Sequence, residues 1–202
     1  MFLRNIFILI LSIFFYGNLI AQVDAEALLK SIQDKFDSIN DLSAEISQLV
    51  NGKVNLEGKV FFKKENNLRI EFQNFIIVSD GKTSWNYNKK QNKVVITNYD
   101  EEGNKIFSIQ QMIYEYPNEC ELSTFESEGE RVLQLIPENN SLNFKSVKLF
   151  ITNDNLISKI LIDNPPTGLI QLNLSNYKIN KNLPDSLFSF SPPEGSQVLD
   201  LR

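Results

Sequence analysis

The sequence contains no histidine, and its 202 residues include one cysteine, Cys120. Histidine is the side chain that most often performs acid–base chemistry near neutral pH, and it is a common ligand of transition metals. A single thiol cannot form an intrachain disulfide, and Glu119 and Glu121 beside it disfavour a reactive thiolate. We therefore predict a structural cysteine, no metal site, no cofactor and no catalytic residue.

An excess of positive charge is also missing, since 20 lysines and arginines stand against 25 acidic residues and give a net charge of −5. Nucleic acid is not an expected partner, because phosphate contacts need a basic surface. Neither a glycine-rich phosphate loop nor a nucleophile elbow occurs, and the acidic run Asp100-Glu101-Glu102 lacks the spacing of a calcium loop. These absences disfavour an enzyme.

Residues 1–21 have the pattern of a secretory signal peptide. Arg4 precedes an apolar run from Ile6 to Tyr16, and Ala21 is the small residue before the expected cut. The run is shorter than the roughly 20 residues that a membrane span needs. No cysteine lies near the cut to carry a lipid anchor. We expect a cleaved signal peptide, a periplasmic protein and a single domain over residues 22–202.

Two segments have the 3.6-residue periodicity of amphipathic helices. The first runs from Asp24 to about Asn40, with apolar residues recurring on one face. The second runs from Lys105 to Tyr116 and is expected to end at Pro117, since proline cannot continue a helix interior.

Most of the remaining chain alternates apolar and polar residues, which is typical of half-buried strands. Residues 54–62, 68–72 and 83–87 show it clearly, and the turn Asp80-Gly81 predicts a hairpin. Gly58 within its strand predicts a bulge. About eleven strands in an antiparallel meander are expected, so the fold class is mainly β with α.

The apolar side chains of these strands allow two interpretations. A curved sheet carrying Phe62, Leu68, Ile70, Phe72 and Trp85, with the helices Leu28–Ile39 and Ile106–Tyr116 across it, could enclose a pocket. The same helices could instead fill that space as an ordinary core, which is the commoner role of an apolar stripe. Periodicity alone leaves both open.

The order of several motifs resembles that of the LolA family, the periplasmic outer-membrane lipoprotein carriers. The resemblance extends over nearly the whole mature chain. Its central motif is Ile76-Ile77-Val78-Ser79-Asp80-Gly81-Lys82-Thr83-Ser84-Trp85-Asn86-Tyr87, supported by Gly58-Lys59-Val60-Phe61-Phe62-Lys63-Lys64, Leu68-Arg69, Ile46-Ser47-Gln48, Leu135-Ile136-Pro137 and Phe188-Ser189-Phe190-Ser191-Pro192-Pro193-Glu194-Gly195.

The resemblance implies an unclosed antiparallel β-barrel of about eleven strands, lidded by helices, whose concave apolar face holds the acyl chains of lipoproteins. It implies a monomeric carrier that receives acylated lipoproteins from an inner-membrane ABC-type releasing complex and delivers them to an outer-membrane receptor. Two alternatives stay open: a carrier or sensor of other lipids on the same fold, and the receptor partner of the same pathway.

The resemblance also assigns site residues. It implies cavity-lining positions at Phe36, Leu68, Ile70, Phe72 and Phe107, and periodicity adds Phe62, Trp85 and Ile109 to the predicted cavity. Lys64 stands where well-studied members have an arginine that tethers the lid and is followed by proline, whereas Glu65 follows here. Lysine lacks the planar fork of arginine, so we predict that Lys64 gates the lid or that Arg69 shares that role.

Overall fold

The computed structural model describes residues 24–99, 109–139 and 142–202. The chain forms two compact units: the first combines Met1–Lys35 with Gln110–Pro166, and the second combines Phe36–Ile109 with Thr167–Arg202. The predicted signal peptide lies outside the described residues, and the single domain stays a prediction. In the described ranges no helix is both long and apolar enough to cross a membrane.

Helix α1 spans residues 24–37, so it begins at the predicted Asp24 and ends before the predicted Asn40. Ala25, Leu28 and Ile32 on α1 are buried, with exposed fractions of 0%, 5% and 2%. This spacing of three and four residues places them on one stripe of the helix. On the exposed side, Lys30 and Asp34 form an ion pair one turn apart, 2.6 Å between Nζ and Oδ1.

The second unit contains eight strands in the spatial order β12-β6-β5-β4-β3-β2-β1-β11. Every neighbouring pair is antiparallel except β12 and β6, which run parallel. The order does not return on itself, so this sheet is unclosed. The strands are β1 (Asp41–Val50), β2 (Lys53–Lys63), β3 (Asn67–Phe72), β4 (Phe75–Asp80), β5 (Thr83–Asn88), β6 (Lys93–Asn98), β11 (Gly168–Ile179) and β12 (Gln197–Asp200).

The predicted hairpin at Asp80-Gly81 is confirmed, and it joins β4 to β5. Gly81 has a φ of +82°, a conformation that glycine adopts without strain. The Asp80 carboxylate accepts hydrogen bonds from the backbone N–H groups of Lys82 at 3.0 Å and Thr83 at 2.8 Å. The turn therefore satisfies its own backbone donors and sets the register of the two strands.

The bulge predicted at Gly58 is wrong. Gly58 pairs regularly with Ile46 and Phe72, and the register shift between β1 and β2 lies at Gln48 and Leu49 instead. A Cβ atom at position 58 would lie 1.9 Å from the carbonyl oxygen of Glu71. Glycine is therefore required here by close approach of the neighbouring strand, the other reason for glycine inside a strand.

The first unit contains four antiparallel strands in the order β10-β9-β8-β7. Its core includes Leu133, Leu135 and Leu149, all fully buried. Within this unit, the Gln33 side chain of α1 donates a hydrogen bond to the carbonyl of Ile113 at 2.7 Å. The strands are β7 (Cys120–Ser127), β8 (Glu130–Pro137), β9 (Ser146–Ile151) and β10 (Ile157–Asn164).

The second predicted helix is described only from Ile109 onwards, and its residues 105–108 lie outside the described ranges. Ile109 and Gln110 are helical, a π-helical turn covers Gln111–Glu115, and a 3₁₀ turn covers Tyr116–Glu119. The helical structure therefore continues past Pro117, contrary to the prediction. Proline is tolerated because it occupies the first turn of the 3₁₀ segment, where its missing N–H has no intrahelical partner.

The predicted fold class, mainly β with α on an unclosed antiparallel sheet, is confirmed. Twelve strands occur in the described residues where about eleven were expected. The additional strand is β12, whose short apolar pair Val198 and Leu199 is too brief to show an alternating pattern.

Candidate functional site

The register of the second unit assigns each strand residue to one of two faces, because directly paired residues on neighbouring strands point to the same side. Ile70 pairs with Val60 on β2 and with Ile77 on β4. We call this side the Ile70 face. Across β11, β1, β2, β3 and β4 it consists of Leu172, Leu174, Leu42, Ala44, Ile46, Gln48, Leu56, Gly58, Val60, Phe62, Leu68, Ile70, Phe72, Phe75, Ile77 and Ser79.

The Ile70 face is apolar, and its side chains are either buried or half-buried. Ile70 and Phe72 are buried, with exposed fractions of 4% and 3%. Phe62, Leu68 and Ile77 on the same face are half-buried. The four sheet residues predicted together as a cavity wall, Phe62, Leu68, Ile70 and Phe72, are therefore brought onto one face.

Trp85 lies on the opposite side, which corrects its predicted place in that wall. It pairs with Val78, which pairs with Arg69, which in turn pairs with Phe61. We call this side the Trp85 face. The error arose because β4 has large apolar residues at consecutive positions, so alternation within β4 could not fix which parity of β5 shares a face with Ile70.

The C-terminal segment, residues 183–190, packs on the Trp85 face. The rings of Phe190 and Tyr87 are 5.7 Å apart, and Phe188 is 2% exposed. The Arg69 guanidinium donates a hydrogen bond to the carbonyl of Leu187 at 3.2 Å. Lys63 forms an ion pair with Asp185. The chain itself therefore covers part of this face with apolar contacts, an ion pair and hydrogen bonds.

The end of α1 contacts the Ile70 face. The rings of Phe36 and Phe62 lie 5.1 Å apart with an angle of 38° between them, a tilted aromatic pair. Phe36 is therefore placed with the predicted wall residues. Phe107 falls outside the described residues. Ile109 is half-buried.

Lys64 contacts the residues at which α1 ends. Its Nζ donates a hydrogen bond to the carbonyl of Asp37 at 2.9 Å, and its backbone N–H donates to the carbonyl of Asn40, also at 2.9 Å. Arg69, the other predicted gating residue, donates instead to Leu187 and pairs with Glu71, 2.6 Å between Nε and Oε1. The structure therefore brings Lys64, and not Arg69, to the helix end.

A second contact to the same junction was missed by the sequence. The side-chain oxygen of Asn180 accepts hydrogen bonds from the backbone N–H groups of Asn40 at 2.7 Å and Asp41 at 3.3 Å. The buried Asp41 carboxylate accepts from the N–H groups of Lys181 at 2.9 Å and Asn182 at 3.0 Å. These reciprocal bonds fix the junction between α1 and β1 to the chain that follows β11.

The described side chains offer little reactive chemistry. Burial, helped by the nearby Glu119 and Glu138 carboxylates, raises the pKa of the Cys120 thiol to about 11, so the thiol stays protonated at neutral pH. The structural cysteine is therefore confirmed, with 6% of its surface exposed. Within the described ranges, no three histidine, cysteine, aspartate or glutamate side chains cluster as a metal site.

The fold places this chain among proteins built on an open antiparallel sheet. It resembles the structure of an uncharacterized conserved protein from Thermus thermophilus, with a TM-score of 0.60 and 15% identity over 88% of this chain and 99% of that one. At this identity the likeness shows the fold alone.

The sequence identifies the family. Residues 37–191 match the family described as outer membrane lipoprotein carrier protein LolA, and the chain belongs to that family. The predicted resemblance is therefore confirmed, and β12 lies beyond the matched residues.

The chain is also similar to proteins of two organisms, one of them named as a lipoprotein carrier. The chain is 27% identical over 206 residues to an outer-membrane lipoprotein carrier protein of Legionella pneumophila (strain Lens), covering 96% of this chain and 98% of that protein. It is 26% identical over 208 residues to an uncharacterized protein of Methanocaldococcus jannaschii. The match covers 95% of this chain but 60% of that longer relative.

Proposed function

We propose that this protein is a periplasmic carrier that binds the acyl chains of lipoproteins against its Ile70 face and delivers them to the outer membrane. Membership of the lipoprotein carrier family supports this function. The carrier binds and releases its cargo and makes or breaks no covalent bond. In this proposal an inner-membrane ABC-type complex supplies the acylated protein, an outer-membrane receptor accepts it, and the carrier acts as a monomer.

One observation carries the proposal: the Ile70 face is apolar across five neighbouring strands and keeps several large apolar side chains partly accessible. The C-terminal segment covers part of the Trp85 face through Phe188 and Phe190, and Ile76, Trp85 and Tyr87 on that face are half-buried. On the Ile70 face, large apolar side chains such as Phe36, Phe62 and Leu68 keep part of their surface accessible. Each acyl methylene moved from water into apolar surroundings contributes about 0.8 kcal/mol, so such a surface favours hydrocarbon chains.

Lys64 is the proposed gating residue. Its ammonium group holds the carbonyl of Asp37 at the end of α1, next to the Phe36 ring that contacts Phe62. Lys64 is itself exposed, so water competes for this hydrogen bond and the bond can open readily. Release of the helix end would uncover the Ile70 face without any chemical step.

Adjacent isoleucines on β4 provide a matched test of the binding face. Ile77 lies on the Ile70 face and Ile76 on the Trp85 face, and both are half-buried. We expect Ile77→Gln to weaken binding of a fluorescent fatty acid about 5- to 30-fold, since a half-buried isoleucine contributes about 1–2 kcal/mol of apolar contact. Ile76→Gln should change binding less than about twofold, a difference of under 0.4 kcal/mol.

Thermal unfolding of both variants serves as the control for folding. Equal loss of binding in the two variants, with similar melting temperatures, would rule out the Ile70 face as the binding surface. The cargo is tested separately by mass spectrometry of material that co-purifies with the protein from the native periplasm. Acylated proteins would support lipoprotein transport, whereas free lipids alone would favour a lipid carrier or sensor on the same fold.

A further inference from the structure

Gln48 is a polar side chain in an apolar part of the Ile70 face. On β1 it pairs directly with Leu56 of β2 and Leu172 of β11. Ile46, two residues earlier on the same strand, is buried on the same face. The Gln48 carboxamide is therefore surrounded by aliphatic side chains of three strands.

The carboxamide of Gln48 has no hydrogen-bond partner among the described residues, although 9% of the residue is exposed. Every fully enclosed side-chain nitrogen and oxygen atom in the described part of the chain has a partner. The amide atoms of Gln48 are therefore not fully enclosed. They border accessible space at an otherwise apolar surface.

An unpaired amide in apolar surroundings lowers the stability of the fold, and leucine or methionine at the same position would avoid that loss of stability. A carboxamide supplies two N–H donors and one carbonyl acceptor. The residues that pair with Ile46 and Gln48 carry no charge, and the lysines nearest on this face, Lys53 and Lys64, are exposed at its ends. The partner that suits it is a neutral carbonyl attached to hydrocarbon.

We propose that Gln48 donates a hydrogen bond to the ester or amide carbonyl that joins an acyl chain to its headgroup. The inference rests on the proposed function and names the chemical group recognised at that site. Gln48 would then make the Ile70 face selective for acyl groups over hydrocarbon chains of equal length. It would also set how deeply the chains insert, because the carbonyl lies at their headgroup end.

The test compares two lipids that differ only at the carbonyl: a diester lipid and its ether-linked counterpart with the same chain lengths. Each displaces a fluorescent fatty acid from the full mature chain. We expect the wild-type protein to bind the ester about 3- to 10-fold more tightly, the range for one net hydrogen bond. Gln48→Met should lose this preference and bind the two lipids with equal affinity.

Gln171→Met is the matched control. Gln171 is a half-buried glutamine on the opposite side of β11, and its amide already donates to the Asn173 side chain at 2.8 Å. This variant should keep the wild-type preference for the ester. Gln48→Met should also melt about 2–4 °C higher, because it removes an unpaired amide.

The outcomes separate this inference from the proposed function. Binding of neither lipid to the wild-type protein would contradict the proposed function itself. Binding of both with equal affinity would leave acyl-chain binding intact and overturn the role of Gln48. Repeating the comparison with a diacyl phospholipid and with an acylated cysteinyl peptide shows which source carries the recognised carbonyl. If Gln48→Met does not fold, the ester and ether affinities of the wild-type protein still decide.

Discussion

Replacement of Asn180 by glycine tests whether the junction between α1 and β1 is held from the far end of β11. Asn180 has a φ of +54°, which glycine accepts without strain. The substitution therefore keeps the backbone and removes only the amide, whose oxygen accepts from the N–H groups of Asn40 and Asp41 and whose nitrogen donates to the Ser38 carbonyl at 3.4 Å. The junction would keep the bonds of Lys64 and of the Asp41 carboxylate.

The hydrogen-bond distances set the loss of stability expected for Asn180→Gly. The bond from Asn40 is short at 2.7 Å and the bond from Asp41 is longer at 3.3 Å. At a net contribution of about 0.5–1.5 kcal/mol for a typical bond, the pair should be worth about 1–2 kcal/mol. For a chain of this size that corresponds to a fall in melting temperature of about 2–8 °C.

Asn176→Gly is the matched control. Asn176 also has a left-handed backbone conformation, with a φ of +53°. Its amide donates to the exposed Glu45 carboxylate rather than to the junction. Both variants gain the same flexibility in the unfolded chain. The difference between their melting temperatures therefore compares the bonds of Asn180 at the junction, to Ser38, Asn40 and Asp41, with the exposed bond of Asn176 to Glu45.

Amide hydrogen exchange measured by NMR reports the same two bonds directly. The amides of Asn40 and Asp41 should exchange faster in Asn180→Gly, by about 5- to 30-fold for a loss of 1–2 kcal/mol, and at the wild-type rate in Asn176→Gly. Equal melting temperatures and equal exchange rates in the two variants would refute the reasoning. The junction would then depend on Lys64 and on local backbone bonds.

Two further substitutions test other contacts. Lys64→Met should speed release of a bound acyl probe about 2- to 5-fold in stopped-flow measurements, because it removes the donor to the Asp37 carbonyl. Lys64→Arg retains a donor and should release the probe near the wild-type rate. An unchanged release rate in both variants would show that Lys64 does not gate the lid. Gly58→Ala should destabilise the protein by about 1–3 kcal/mol in urea unfolding, since its Cβ would lie 1.9 Å from the Glu71 carbonyl oxygen. An unchanged unfolding midpoint would contradict the close approach of β3 to Gly58.

The strands and turns were predictable because their signals are local. Alternation from Val54 to Phe62 and the Asp80-Gly81 turn each fix the conformation of a few neighbouring residues. The relation between strands is not local, because a shift of one residue exchanges the two faces of a strand. In β4 the residues Phe75–Val78 are all apolar, so the sequence contained nothing to place Trp85.

The site was predictable where a single strand or the family motif determined it. Phe62, Leu68, Ile70 and Phe72 follow the alternation of two strands that form one hairpin, and the structure keeps them together. The Asn180 contact connects residues about 140 positions apart, and no local sequence pattern predicts such a bond. The available signal was the cluster of asparagines after β11, a residue type that tolerates left-handed geometry.

The β2–β3 hairpin restrains the chain on both faces of the sheet, and the two restraints differ in strength. On the Trp85 face, Arg69 is 17% exposed and binds the C-terminal segment beside the buried Phe188, whereas the ion pair of Lys63 lies at the surface, since the Asp185 side chain is 91% exposed. On the Ile70 face, the exposed ammonium of Lys64 holds the helix end by one bond to a carbonyl. Hydrogen bonds and ion pairs strengthen as water is excluded, so the Lys64 contact is the weaker one. Thermal motion should therefore break the Lys64 contact at the end of α1 before the Arg69 contact to the C-terminal segment, as the proposed carrier function requires.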